Sequence, residues 1–235
     1  MMDLKDIGEL SAFLGGFTSF FSAWQLCLMQ ITPFYLAFAV GFALVQWDER
    51  VKKRLLTLLF THAGFLIGFS LLFGALGVPG IGFSRYIKYN MGTFRLAAAA
   101  LIALVALYLF LAGLRKKGMT AVLPGFLIGL LFGLALAISY APCITPTMSD
   151  IMNFAGQPGN KMRGLALLAI YGTGISIASI LAGALLSFAV GRSAKSGFSR
   201  HLLATATAAI LLVMTVLLVT GWMSVYKSFL VGLVL

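Results

Sequence analysis

Charged residues are scarce in this sequence, and acidic residues are the scarcest of them. Only 10% of the 235 residues are charged, with six Asp and Glu against 17 Lys and Arg, whereas 61% are hydrophobic. The mean hydropathy is +1.04. A soluble domain cannot cover this much apolar surface. The composition therefore excludes a soluble globular protein and predicts a protein that crosses a membrane several times.

The basic excess gives a net charge of +11, but its distribution does not indicate nucleic-acid binding. Lys and Arg fall in short clusters between apolar runs instead of along one stripe. We interpret these clusters as topology signals and as contacts to lipid headgroups of the bilayer.

Metal ligands and signal-peptide features are also missing. The only histidines, His62 and His201, lie in different apolar runs with no Cys or carboxylate at ligand spacing, so we expect no metal and no organic cofactor. A core or interfacial position is the expected role of both. The amino terminus has neither a basic n-region nor a small-residue cleavage site, so the first apolar run is expected to be retained.

About 20 apolar residues are needed to cross the hydrocarbon core as a helix. Six runs meet this requirement, at residues 12–45, 55–78, 91–114, 121–152, 164–190 and 201–222. No soluble domain is left over, so we predict an all-α membrane protein whose single transmembrane domain covers 1–235. Residues 223–235 either prolong the sixth run or lie in the interface, with Trp222 and Tyr226 as anchors.

The Lys and Arg residues predict an orientation. The first, third and fifth connections hold ten of them, and the opposite side holds seven. The positive-inside rule then places both termini outside the cytoplasm of a prokaryotic cell (inner) membrane.

Two of the six runs are too long for one crossing. A helix over 12–45 would measure about 50 Å against a core of about 30 Å, and 121–152 has the same excess. Each of these two runs, and no other, contains a cysteine near its middle, Cys27 or Cys143, with a proline within six residues after it. We therefore expect broken first and fourth helices.

Three crossings separate the two overlong runs, so the second half enters the membrane with the opposite orientation. This arrangement predicts a three-plus-three inverted repeat, with halves at 12–114 and 121–222. The two halves share little sequence beyond the cysteines.

The prolines suggest how the cysteines are exposed. Proline has no N–H to donate, so Pro146 and Pro33 each free a carbonyl four residues back, and the freed groups should face the bundle interior or a hydrated cavity. Pro142 suits the first position of a new helical segment, which would place Cys143 in its opening turn, where the helix dipole favours a thiolate. Alternatively, the prolines only kink the helices for packing.

Two reactive thiols on equivalent helices favour reversible disulfide formation, followed by exchange with partners on each side. One rival is a small-solute exporter with an inverted-repeat core, although the predicted core lacks a charged residue of the kind that marks a substrate path. Another is a non-catalytic assembly protein with replaceable cysteines.

Glycines at spacing four form small-residue ridges that predict close helix approach: Gly125, Gly129 and Gly133 in the fourth run, and Gly64 and Gly68 in the second. We interpret these ridges mainly as packing surfaces.

Six runs, a cysteine in the first and P-C-x-x-P in the fourth resemble the CcdA family of membrane thiol–disulfide electron carriers, related to the transmembrane domain of DsbD. The resemblance covers nearly the whole chain. It implies that Cys27 and Cys143 are the redox pair, that cytosolic thioredoxin is the donor, and that thioredoxin-like proteins outside the cytoplasm are acceptors, often for cytochrome c maturation.

The motif residues match unevenly. Pro142 and Pro146 match the prolines around the second cysteine, and Pro33 with Tyr35 matches the later part of the first motif. The first motif departs from P-C-x-x-P, since Leu26 precedes the cysteine and Gln30 stands three residues after it. The break before Cys27 and the activation of its thiol therefore lack the support of the first motif proline, and Gln30 can itself hydrogen-bond a freed carbonyl.

Overall fold

The computed structural model describes residues 8–21, 26–47, 51–78, 82–114, 122–139, 146–157, 159–193 and 197–234. This part of the chain is helical, as the sequence predicts. Its helices are α1 (Glu9–Phe21), α2 (Leu26–Val45), α3 (Val51–Gly77), α4 (Gly82–Tyr89), α5 (Met91–Leu114), α6 (Val122–Ser139), α7 (Pro146–Gly156), α8 (Lys161–Ser193), α9 (Gly197–Thr220) and α10 (Met223–Val234).

Among the described residues, four helices are long and apolar enough to cross a membrane: α3, α5, α8 and α9. They correspond to the predicted second, third, fifth and sixth runs. These runs contain neither cysteine nor internal proline, so nothing in them interrupts the backbone hydrogen bonds. Two shorter apolar helical segments, Thr32–Val45 and Pro124–Ser139, belong to the overlong runs.

Each overlong run contributes two described helices. The first contributes α1, of 13 residues, and α2, of 20 residues. The fourth contributes α6, of 18 residues, and α7, of 11 residues. Residues 22–25 and 140–145, which separate these helices in the sequence, lie outside the described part of the chain, so the predicted breaks stay predictions.

The core is built around phenylalanine rings. Phe38 of α2 stacks on Phe132 of α6, with ring centroids 4.1 Å apart. On α3, Phe69 and Phe73 form a stacked ladder that continues to Tyr171 of α8, whose ring lies 6.0 Å from Phe73. These rings link α2, α3, α6 and α8 into one core.

Helices α3 and α6 pack backbone against backbone. A Cβ on Gly129 would meet the main-chain carbonyl of Thr61, and one on Gly64 would meet the carbonyl of Phe126. Only glycine permits this approach, because any side chain would overlap the facing main chain. The predicted close approach at the glycine ridges is thereby confirmed.

Helices α1 and α8 repeat these contacts. A Cβ on Gly16 would meet the carbonyl of Tyr171, and one on Gly174 would meet the carbonyl of Phe13. In both interfaces, each glycine stands three residues after the residue whose carbonyl contacts the partner helix. The α1–α8 and α6–α3 interfaces thus share one pattern of contacts.

Helix α8 is a continuous support for both parts of the first run. It contacts α1 at Tyr171, and farther along it contacts Tyr35 of α2 at Gly183. Beyond that point, Gly191 of α8 packs against the ring of Trp47, which directly follows α2. Both parts of the first run therefore pack along the length of α8.

A turn ends α9 and separates it from the carboxyl-terminal helix. Gly221 has a φ of +77°, which ends the helix, and Arg95 donates a hydrogen bond to the carbonyl of Leu218 at 3.1 Å. Residues 223–234 therefore do not prolong α9. They form α10, whose Tyr226 packs against Phe34 of α2 with ring centroids 5.9 Å apart, while Trp222 is exposed.

Candidate functional site

The first predicted site residue, Cys27, lies in α2, whose described part begins at Leu26, and the described part of α1 ends at Phe21. Residues 22–25 lie outside the described part of the chain, so the predicted break in the first run stays a prediction. The side chains of Cys27 and Gln30 fall outside the described part of the chain, so their predicted contacts stay predictions.

Pro33 lies inside α2, which continues through it to Val45, and its side chain is exposed. The helix therefore does not end at Pro33, and the predicted orientation of the backbone carbonyl that Pro33 would free stays a prediction. A proline within a helix costs one hydrogen bond, and here the flanking turns maintain the helix.

The second predicted centre falls between two described helices. Helix α6 ends at Ser139 and α7 begins at Pro146, a residue type well suited to the first position of a helix. Pro142 and Cys143 belong to residues 140–145, which lie outside the described part. The predicted helix start at Pro142 is therefore not tested, and the described helix begins four residues later.

The described helices of the two overlong runs meet each other. The Thr147 side chain, at the start of α7, packs against Gly15 of α1, where a Cβ would lie 2.7 Å from the Thr147 methyl group. The middle of α1 and the described beginning of α7 are thus brought together, although 132 sequence positions separate Gly15 from Thr147. This contact links helices of the two cysteine-containing runs.

Small hydroxyl side chains line the buried face of α8 between its contacts with α1 and α2. Ser176 is fully buried and donates a hydrogen bond to the carbonyl of Gly172 at 2.9 Å, and Ser179 donates to Ile175 at 2.9 Å. Both hydroxyls are satisfied within their own helix. This stretch of α8 is therefore uncharged and compact, with room for neighbouring backbone.

Two polar groups close to this region were not singled out by the sequence as a pair. Tyr35 of α2 is 2% exposed, and His62 of α3 has its ring centroid 6.4 Å from the Tyr35 ring. Neither Tyr35 Oη nor His62 Nδ1 has a hydrogen-bond partner. The available signal was a tyrosine and a histidine within apolar runs, but only the tertiary structure shows that they are neighbours.

The described residues form no group of three His, Cys, Asp or Glu side chains that would hold a metal ion. Asp150 of α7, an acidic residue near the second centre, is exposed. The chemistry available at the site therefore comes from the thiols and from uncharged hydroxyl and imidazole groups.

A curated protein of Haemophilus influenzae named "Putative cytochrome c-type biogenesis protein" is 26% identical to this chain over 225 residues. No family model matches the chain, and no solved structure matches it. The likeness to the Haemophilus influenzae protein covers 90% of this chain and 94% of that protein, so it extends over nearly the full length of both.

Proposed function

We propose that this protein carries reducing equivalents across a membrane by thiol–disulfide exchange at Cys27 and Cys143. Cytosolic thioredoxin is the proposed donor, and a thioredoxin-like protein outside the cytoplasm is the proposed acceptor. The name of the Haemophilus influenzae relative supports a role in cytochrome c maturation, where reduced thiols are needed for haem attachment.

One observation carries the proposal: the two cysteines of the sequence fall one in each overlong run, at matched places in the two proposed halves. The described helices of these two runs also meet, since Thr147 of α7 packs against Gly15 of α1. A predicted break beside each cysteine would leave polar backbone groups that must face protein or water, as at functional centres of membrane proteins. Kinks for packing alone would not require a cysteine at each.

The duplicated interfaces support the proposed inverted repeat of 12–114 and 121–222. Under this repeat, α1 corresponds to α6 and α8 corresponds to α3. The α1–α8 and α6–α3 contacts then become equivalent, including both glycines and both carbonyls of each interface. Equivalent supports would hold the two cysteine-containing segments in equivalent positions.

The chemistry is balanced by two exchanges. One thiol of the donor attacks the Cys27–Cys143 disulfide and forms a mixed disulfide with one of these cysteines. The second donor thiol then attacks the mixed disulfide, which leaves both protein cysteines reduced and the donor oxidised. The reverse sequence on the other side reduces the acceptor's disulfide. Two electrons and two protons are transferred in each half-cycle, and no other cofactor takes part.

The test is a thiol-alkylation mass shift on the full-length protein in membranes. We expect the oxidised protein to take up no alkylating groups and the reduced protein to take up two, because the chain has only two cysteines. Uptake of two groups by the oxidised protein would refute the electron-carrier proposal.

Single variants complete this experiment. Cys27→Ser and Cys143→Ser should each take up one group regardless of oxidation, and each should abolish reduction of an extracytoplasmic acceptor. Full acceptor reduction by either variant would instead favour an assembly role or a solute exporter, in which the cysteines are replaceable.

A further inference from the structure

Four buried side-chain polar atoms in the described part of the chain have no hydrogen-bond partner: Tyr35 Oη, Gln46 Oε1, His62 Nδ1 and Ser70 Oγ. Two of them, Tyr35 Oη on α2 and His62 Nδ1 on α3, belong to neighbouring rings. Within the described chain, they belong to rings whose centroids are 6.4 Å apart. Two such orphaned groups on neighbouring helices require a common explanation.

Leaving a buried hydroxyl unpaired is unfavourable, and buried polar groups are nearly always paired with protein or with an ordered water. Two hydrogen bonds of about 2.8 Å through one water bridge atoms roughly 5 Å apart. The separation of the two rings is compatible with such a bridge.

The neighbours of Tyr35 hold its hydroxyl in place. On the α3 side, the centroid of the Phe65 ring lies 4.5 Å from the centroid of the Tyr35 ring. On the α8 side, the absence of a side chain on Gly183 leaves room, since a Cβ there would lie 3.1 Å from Tyr35 Cε1 and 3.7 Å from the hydroxyl oxygen. Tyr35 is thus fixed between α3 and α8 at a position where its polar end cannot reach bulk solvent.

We propose that Tyr35 and His62 bind a water molecule between α2 and α3, and that this hydrated pair transfers protons for the thiol chemistry at Cys27. The water-binding part stands on the two orphaned atoms alone. The proton-transfer part rests on the proposed function.

The location on α2 suits a proton path. Cys27 precedes Tyr35 by eight residues, which is about 12 Å along a helix, so additional water must connect them. When Cys27 forms a thiolate, its S–H bond breaks and the His62 imidazole accepts the proton at Nδ1. The thiolate that is released in the next disulfide exchange takes this proton back.

In the described part of the chain, the groups that pack against Tyr35 and His62 from α2, α3 and α8 are uncharged. The titratable groups at this place are Tyr35 and His62 themselves. A change in pH dependence on altering the pair would therefore report on these two side chains.

Radiolytic hydroxyl labelling of the full-length protein in nanodiscs tests the bound water, because a buried side chain is oxidised rapidly only where a water lies beside it. Tyr171 is the matched control, since it is buried like Tyr35 but has its hydroxyl 2.7 Å from the Ser19 hydroxyl. We expect Tyr35 to be oxidised several-fold faster than Tyr171. We also expect His62→Phe to remove the difference and His62→Asn, which keeps a polar group near Nδ1, to restore it.

Equal labelling of Tyr35 and Tyr171, or Tyr35 labelling unchanged in His62→Phe, would overturn the water site. This result does not depend on any redox activity, so it is separate from a failure of the proposed function.

The proton-transfer part is tested by the rate of disulfide exchange as a function of pH, in ordinary and in heavy water. Tyr35→Phe should slow exchange several-fold, shift its pH profile and reduce the solvent isotope effect, whereas Tyr171→Phe should leave the profile unchanged. A Tyr35→Phe profile identical to that of the parent protein would overturn the relay. Exchange that persists in Cys27→Ser would count against the proposed function instead.

Discussion

Gly16 of α1 lies directly against the main-chain carbonyl of Tyr171 on α8, with no space for a side chain between them. Gly129 of α6 meets Thr61 of α3 in the same manner. These two contacts hold the first part of each overlong run on a long helix from the other half of the chain.

We expect Gly16→Ala and Gly129→Ala to destabilise the protein by similar amounts, about 1–3 kcal/mol each, because the new methyl group overlaps backbone that cannot move aside. Thermal unfolding in detergent measures this. Gly92→Ala is the control, since Gly92 lies in α5 with open space around it and should be neutral or slightly stabilising. Equal melting temperatures for all three variants would show that the close contacts do not matter.

The turn after α9 gives a second prediction. Gly221→Ala should lower the free energy of unfolding by about 1–2 kcal/mol, because the left-handed conformation at a φ of +77° disfavours any Cβ. Gly232→Ala in α10, where a Cβ meets no neighbouring atom, provides the comparison. A loss of stability in Gly232→Ala as large as that in Gly221→Ala would contradict this explanation.

The orientation of the chain is a third prediction. The distribution of Lys and Arg places residues 115–117 inside the cytoplasm and residue 235 outside. Fusions at these two positions to a reporter active only in the cytoplasm should give a signal at the first and none at the second. A cytoplasmic signal at residue 235 would mean that either the number of crossings or the orientation is wrong.

The prolines around Cys143 give a fourth prediction. Replacing Pro142 and Pro146 by Ala favours one continuous helix, since each proline in a helix interior costs about 3 kcal/mol relative to Ala. In this double variant, we expect reduced Cys143 to react at least roughly tenfold more slowly than in the parent protein. The reaction is measured with membrane-impermeant thiol reagents applied separately to each face of sealed vesicles. Two alternative packings of the broken segments, each exposing the thiol to one face, would explain labelling from both faces.

Pro124→Ala serves as the control for this experiment, because Pro124 is an exposed residue near the start of α6, away from Cys143. Its labelling rates should equal those of the parent protein. Rapid labelling from one face only, unchanged by the double replacement, would exclude alternating access.

Much of the helical layout is predictable from the sequence because it depends on local properties. Hydrophobic length alone locates α3, α5, α8 and α9. The glycine ridges at spacing four also predict close approach, since residues four apart occupy the same face of a helix.

The candidate site was less predictable. A cysteine followed by a proline predicted a break in each overlong run, yet the structure leaves Pro33 inside α2. The segments 22–25 and 140–145, where the breaks would fall, lie outside the described part of the chain. Whether a proline breaks or only bends a helix depends on the packing of its flanking turns, which one helix's sequence does not specify.

The sequence by itself determined the class of protein, the number and length of its apolar runs, and the position of one cysteine in each overlong run, because hydrophobic burial and helix geometry act over neighbouring residues. Only the tertiary structure decided that Gly16 and Gly174 form an interface matching that of Gly129 and Gly64, and that Tyr35 lies beside His62. These relations join residues on different helices. They are set by the way whole helix surfaces fit together, since packed surfaces exclude all but a few relative positions.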